Sequence, residues 1–279
     1  MIPGRTYQEL QPAPRLAGHL WTVWIHRVPG DAAPYTHRSV PNGTVELACG
    51  VGAVPRIVGP HTRATVEVLE PGTTVVGARF HPGAAPSVLG VPASELLDLT
   101  LDSDALWGRW AVALGERVAG AASPFEAVAV LQAQIIGRLD AAAGPDPLVA
   151  EAVRRLMPGR TDDVGSLTSS LSISERQLRR RCLAGIGLAP KALQRMLRFQ
   201  GFLARAQFEL ARGRAPAAGG LARLAADAGY ADQSHLSREC DRLTGLPPRA
   251  FLRETEHQCG PEHDHAASFL PLLRAAAPD

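Results

Sequence analysis

The sequence predicts an α+β chain in which a strand-rich N-terminal barrel is followed by helices, and then by an all-α domain of two similar units joined by a long helix. Three observations carry that expectation. Short β-rich runs separated by turn residues fill the first 92 residues, apolar spacing of three and four residues takes over afterwards, and the last third holds an internal repeat. At 279 residues the chain is long enough for two domains, each with its own core.

Taken in order, the run LWTVWIHRV (Leu20 to Val28) alternates, with Leu20, Thr22, Trp24, His26 and Val28 on one face and Trp21, Val23 and Ile25 on the other. Thr44 to Cys49, Arg63 to Leu69 and Thr73 to Phe80 are similar runs, separated by Pro41-Asn42-Gly43, Gly59-Pro60 and Pro71-Gly72. Strands of this length between such turns predict a barrel or sandwich. Helices follow over Asp104 to Val118 and Pro124 to Ala142, where Val128, Leu131, Ile135 and Leu139 form a stripe with Gln132, Gln134 and Arg138 beside it. That stripe can serve either the barrel or a second copy of the chain. After Gly144-Pro145-Asp146-Pro147, a short helix from Leu148 to Met157 reaches the Pro158-Gly159 break. Bounded by breaks, it is expected to turn as a unit and to pass a signal between domains through Arg154 or Arg155. The expected division is 1–157, 160–254 and a tail over 255–279.

Composition narrows the function classes. A chain 46% hydrophobic and 20% charged is globular rather than disordered. No apolar run reaches the roughly 18 residues of a membrane span, and the first residues lack the charged-then-apolar layout of a signal peptide, so a cytoplasmic location is expected. Cys49, Cys182, Cys240 and Cys259 are scattered without a C-x-x-C, which predicts free thiols. No phosphate loop, dinucleotide fingerprint or nucleophile elbow is present, and no cofactor is expected. His19, His26, His37, His61 and His81 lie in the strand-rich part without ligand spacing, which leaves a metal-dependent barrel enzyme as the alternative class. In CGPEHDH (Cys259 to His265), Cys259, His263 and His265 offer metal ligands, although the composition reads as a solvated tail.

The net charge of +2 conceals an asymmetry. Residues 1 to 157 carry 12 basic and 14 acidic groups, whereas residues 158 to 253 carry 16 and 8, a net of +8 that is nearly all arginine. Guanidinium forks suit phosphates and guanine edges, so this region points to nucleic acid.

Within it, Leu178, Arg180 and Cys182 recur 58 residues later as Leu236, Arg238 and Cys240, and Gly187-Leu188-Ala189-Pro190-Lys191-Ala192 recurs as Gly245-Leu246-Pro247-Pro248-Arg249-Ala250. Each copy reads as helix, tight turn, helix. Ser174 caps the second helix of one copy and Asp232 that of the other. Leu178 with Cys182, and Leu236 with Cys240, face inward, which leaves Arg176, Arg179 and Arg180, and Gln233, Ser234, Ser237 and Arg238, facing out. This is the layout of a helix-turn-helix, whose second helix enters the major groove. From Pro190 to Ala211 one apolar stripe continues without a break. A helix of about 22 residues spans roughly 33 Å, near one turn of B-DNA, which sets two readers in successive grooves.

The run GYADQSHLSRECDRLTGLPPRAF (Gly229 to Phe251), with its weaker upstream twin, resembles the signature of AraC/XylS-type transcription regulators over about residues 160 to 254. The resemblance implies a double helix-turn-helix on double-stranded promoter DNA, with base-facing positions at Arg176, Arg179 and Arg180 and at Gln233, Ser234, Ser237 and Arg238. It adds RNA polymerase as a candidate partner. The sequence departs from the pattern where Cys182 and Cys240 stand in place of aromatics and Asp241 in place of a basic residue, which implies looser cores. PNGTVEL (Pro41 to Leu47), VGPHTR (Val58 to Arg63) and GARFHPGAAPSVLGVPASEL (Gly77 to Leu96) are similar to sensor domains of some of these regulators. They imply a cupin-like barrel holding a small-molecule effector, followed by helices that pair in a homodimer; the alternative is then a cupin-type metalloenzyme with an appended helical domain. For the effector the candidate contacts are Trp24, Glu46 and Arg79, the last two also matched in charge as a buried cross-strand pair.

Overall fold

The structure, a computed structural model, describes residues 6–139, 144–160, 164–213, 220–258 and 263–274. Strands β1 (Thr6–Leu10), β2 (Leu20–Arg27), β3 (Tyr35–Ser39), β4 (Glu46–Gly50), β5 (Arg56–Val58), β6 (Thr65–Leu69), β7 (Thr74–Phe80) and β8 (Thr100–Asp102) precede the main helices, and β9 (His263–Asp264) comes from the far end of the chain. Among the described residues these make a mixed sheet in the order β8-β5-β4-β7-β2-β1-β9 and a separate β3-β6 ribbon.

One face of the sheet is apolar. Val23, Ile25, Leu47, Ile57, Val76 and Phe80 pack beneath α1 (Ala85–Leu89), α3 (Arg109–Ala119) and α4 (Pro124–Leu139), against Leu114, Leu131 and Ile135. Each such fully buried side chain contributes about 1.5–3 kcal/mol. The α4 stripe therefore covers the sheet, and its polar neighbours are engaged inside the chain. Gln132 accepts from the Ala13 amide at 2.6 Å, Gln134 from Arg117 at 2.7 Å, and the Arg138 guanidinium lies 4.4 Å from the Trp107 ring centroid. The helix expected over Asp104 to Val118 breaks at Gly108, whose φ of 53° favours glycine, into α2 (Asp104–Trp107) and α3.

The opposite face of the sheet, turned toward the ribbon and the C-terminal helices, is polar and aromatic. Its alternation differs from the expected one at a single point. The β2-β7 register shifts between Leu20 and Thr22, so Leu20 joins Val23 and Ile25 in the core instead of sharing a face with Trp24. Opposite Trp24 on β7 stands Gly77, where an added Cβ would lie 2.2 Å from the indole. That close approach requires glycine.

The helical half contains α5 (Pro147–Leu156), α6 (Val164–Ser170), α7 (Glu175–Ile186), α8 (Pro190–Ala211), α9 (Leu221–Asp227), α10 (Gln233–Thr244) and α11 (Pro248–Gln258). One core joins Val149, Ala152 and Leu156 of α5 to Leu167, Leu178, Cys182 and Ile186, and to Leu193 and Met196 at the start of α8. A second joins Phe199 and Phe202 of α8 to Leu224, Leu236, Cys240, Leu243 and Phe251. The breaks that flank α5 do not set it apart as a free unit. It is a wall of the first unit, held by burial of its apolar face, and Arg154 and Arg155 both pair with Glu151 of the same helix at 2.5 and 2.6 Å. Cys182 and Cys240 are fully buried, and burial pushes their thiols up to about 11 and about 12, so both positions are filled core sites.

The tail is corrected as well. β9 pairs in parallel with β1, and α12 (Ala266–Arg274) packs along α8, burying Ala267, Ser268 and Leu272. Its turn-forming start suggested solvent exposure, but the apolar residues of AASFLPLL outweigh it. Cys259 lies outside the described residues.

Candidate functional site

Two regions hold the residues singled out by the sequence. In the first, α7 and α10 present matched outer faces. Ser174 makes a capping box, its Oγ accepting from the Gln177 amide at 3.2 Å while Gln177 Oε1 accepts from the Ser174 amide at 3.0 Å. Asp232 accepts from the His235 amide at 2.6 Å. Both helices end on glycine, Gly187 and Gly245, at the repeat offset. The turns differ by one residue: the left-handed position is Ser172 in the first unit and Gly229 in the second, two residues and three residues before the respective caps.

Arg176, Arg179, Arg180, Gln233, Ser234 and Arg238 are exposed and Ser237 is half-buried. The four arginines form no ion pair among the described residues, and they remain available to an external anion or base edge. Ser237 is the exception in chemistry, since its Oγ donates to the Gln233 carbonyl of its own helix at 2.9 Å. One structural residue escaped the sequence reading. Glu239, buried on α10, accepts from Arg195 of α8 at 2.9 Å and from Arg242 at 2.5 Å. Burial alone would raise its pKa, but the hydrogen bonds from these guanidiniums hold the carboxyl below the usual range. It fixes α10 to the connecting helix. Arg181 likewise reaches Asp146, the cap of α5, at 2.5 Å.

The second region is a cavity of about 490 Å³ between the polar face of the sheet, the ribbon, α8, α11 and the C-terminal segment. Trp24, Glu46 and Arg79, expected together, line it together. Glu46 and Arg79 are register partners on β4 and β7, and Arg79 Nε donates to Glu46 at 2.8 Å. Glu46 also accepts from Trp24 Nε1 at 3.1 Å and from Asn42 at 3.1 Å. Burial would raise the Glu46 pKa, yet Arg79 first, with the Asn42 amide, holds it below the usual carboxylate range.

Glu9 and Ser268 of the cluster stand at positions the sequence did not mark. Glu9 of β1, fully buried, accepts from Arg79 Nη1 at 2.9 Å and from the Tyr7 hydroxyl at 3.0 Å. Ser268 of α12 accepts from Arg79 at 2.5 Å. His26, Tyr35 and His37 add rings to the wall, with His26 and His37 centroids 5.4 Å apart. Burial lowers the pKa of His37. At the rim, Arg38 is held by Glu254 at 2.6 Å and Arg56 by Glu67 at 2.5 Å. Each cation of the wall thus already has a carboxylate. Among the described residues no group of three His, Cys, Asp or Glu side chains is set to hold a metal ion. Nor is any described helix long and apolar enough to cross a membrane.

Residues 167–254 match the family described as a helix-turn-helix domain, and residues 8–102 match a domain of unknown function (DUF6597). No curated protein matches the chain. Among solved structures, the chain is similar to ToxT from Vibrio cholerae in several forms. A ligand-free single-substitution variant is 14% identical with a TM-score of 0.44, over 83% of this chain and 96% of that one. The wild-type protein with a bound unsaturated fatty acid is 10% identical with a TM-score of 0.42, over 90% and 96%.

Proposed function

On the premise that residues 167–254 carry a helix-turn-helix domain, whose motif resembles the AraC/XylS type, we propose that the chain is a DNA-binding transcription regulator controlled by a small molecule in its N-terminal cavity. The observation that carries this is the pair of repeated, capped helices α7 and α10, with unpaired arginines on the outer face, joined by one continuous helix of 22 residues. The helix-turn-helix match over residues 167–254 favours this reading over a barrel enzyme with an appended helical domain.

In this reading Arg176, Arg179 and Arg180 of one unit and Gln233, Ser234, Ser237 and Arg238 of the other contact promoter DNA. Trp24, Glu46 and Arg79 contact the effector. Because the cations of the cavity wall are already matched by carboxylates, a ligand held by ring stacking and hydrogen bonds fits better than an anion that must break an ion pair. A homodimer is proposed through the outer face of α4, where Phe125, 58% exposed, continues into exposed Ala129, Ala133 and Gly137. RNA polymerase is a further proposed partner.

The test is selection of a bound sequence from randomised duplex DNA. Arg176→Ala and Arg179→Ala should each relax the preference at defined base pairs, costing about 1–3 kcal/mol per lost bidentate contact. A full chain that selects no sequence would sink the reading.

A further inference from the structure

The last described residues of the chain sit inside the molecule rather than beside it. β9 adds to the edge of the sheet with Tyr7 opposite His263 and Gln8 opposite Asp264. One turn later the Ser268 amide donates to Glu9 Oε2 at 2.7 Å, and the Ser268 hydroxyl donates to Glu9 Oε1 at 2.7 Å while accepting from Arg79 at 2.5 Å. The His265 ring stacks on Tyr7, 4.6 Å between centroids, and on Phe269 at 5.5 Å. On its other side α12 lies along α8, and Phe269 packs on the core of the second helix-turn-helix unit.

Apart from the Ala266 amide on Asp264 at 2.8 Å and the His265–Phe269 ring pair, this segment is held in shape by its contacts with β1, Arg79 and α8. A two-residue strand and a nine-residue helix containing Pro271 are too short to persist alone, so their order derives from these contacts. Removing them would bare the β1 edge, withdraw two donors from the buried Glu9 and open one wall of the cavity to water.

We propose that residues 263–274 are a lid over the inner end of the cavity, latched by Ser268 on the Glu9–Arg79 pair, and that access to that inner end, where His26 lies buried, requires release of this latch. The proposal rests on the reading of the cavity as a ligand site. Its test does not depend on DNA or on the identity of the ligand.

The probe is diethyl pyrocarbonate at pH 7, with carbethoxylation of His26 and His37 followed by mass spectrometry and His235 of α10 as internal reference. Three proteins are compared: the full chain, the chain ended at Gln258, and the full chain with Ser268→Asp, which sets a carboxylate against Glu9. Relative to His235, the buried His26 should react at least tenfold faster in both altered proteins than in the full chain, with the half-exposed His37 changing less. His26 rates within twofold of the full chain in both would overturn the lid. So would parallel acceleration of His235, because the segment would then be a structural part of the whole fold. Failure to select an operator would sink the regulator reading and leave this result standing.

Discussion

Arg79 is the residue at which the sheet, the cavity and the end of the chain meet. It donates to Glu46, Glu9 and Ser268, which derive from two strands and a helix far apart in sequence. The Glu46 half was legible, since alternation aimed a carboxylate and a guanidinium from separate strands at one face. The Glu9 and Ser268 half was not, because a pairing across 259 residues leaves no local pattern. The same cluster sets a pH dependence through His265, which faces Tyr7, Phe269, His263, Asp264, His37 and Arg79. Burial first, then the neighbouring His263 and Arg79, lower its pKa to about 3. A histidine kept neutral in the fold takes up a proton on unfolding once the pH drops below about 6.5, so its share of stability is whole at neutral pH and declines toward pH 3. His37 is shifted in the same direction. Between pH 7.5 and pH 5.5, urea unfolding of the unaltered chain should lose about 1 kcal/mol more than that of His265→Gln. Equal losses would mean that the ring is protonated in place.

At the scale of elements, local signals with matching caps were readable and several short strands were not. The bounds of α8 follow from Pro190 and the continuous stripe to Ala211, and α7 from the Ser174 cap. Strands β1, β3, β5 and β8 are three to five residues long and are held by neighbours rather than by their own pattern. Helix α11 was missed although the repeat announces it: Pro248 stands at the offset of Pro190, which opens α8. Helix α5 was read as a connector because Gly and Pro flank it, and flanking breaks do not reveal what a helix buries. With Leu156 4% exposed in the first unit's core, Leu156→Ala should destabilise that unit by about 2–5 kcal/mol and weaken DNA binding with it. Arg154→Ala and Arg155→Ala, at partly exposed side chains that pair with Glu151 on the same helix, should cost less than about 1 kcal/mol each. Chemical unfolding and operator affinity measured on the same samples decide the matter, and the opposite ranking would favour the signal-passing role.

Across the whole molecule the three cores are bound together by contacts that composition could not reveal. Gln200 of α8 donates to the Pro41 carbonyl at 2.7 Å, the Ala64 amide donates to the Leu243 carbonyl at 2.7 Å, and Arg38 reaches both Glu254 and the Thr244 carbonyl, the latter at 3.1 Å. The first unit is seated equally closely, since a Cβ on Gly187 would meet the Ala93 carbonyl oxygen at 2.8 Å. The second unit therefore touches the β3-β6 ribbon through its α10 C-terminus, while the first touches the loop that leads to β8. In the proposed reading, a ligand that shifts either anchoring place changes how the two units sit on the sheet domain, and so DNA affinity, without touching a recognition helix. Such interlocking predicts that sensor and reader unfold together. Calorimetry of the full chain should show one transition with matching calorimetric and van't Hoff enthalpies. In the Arg38→Ala, Gln200→Ala double variant, which cuts these side-chain ties of the second unit and keeps its apolar core and the Ala64–Leu243 bond, the transition should broaden or split. Two resolved transitions in the unaltered chain would show that these contacts are too weak to carry a signal between the halves.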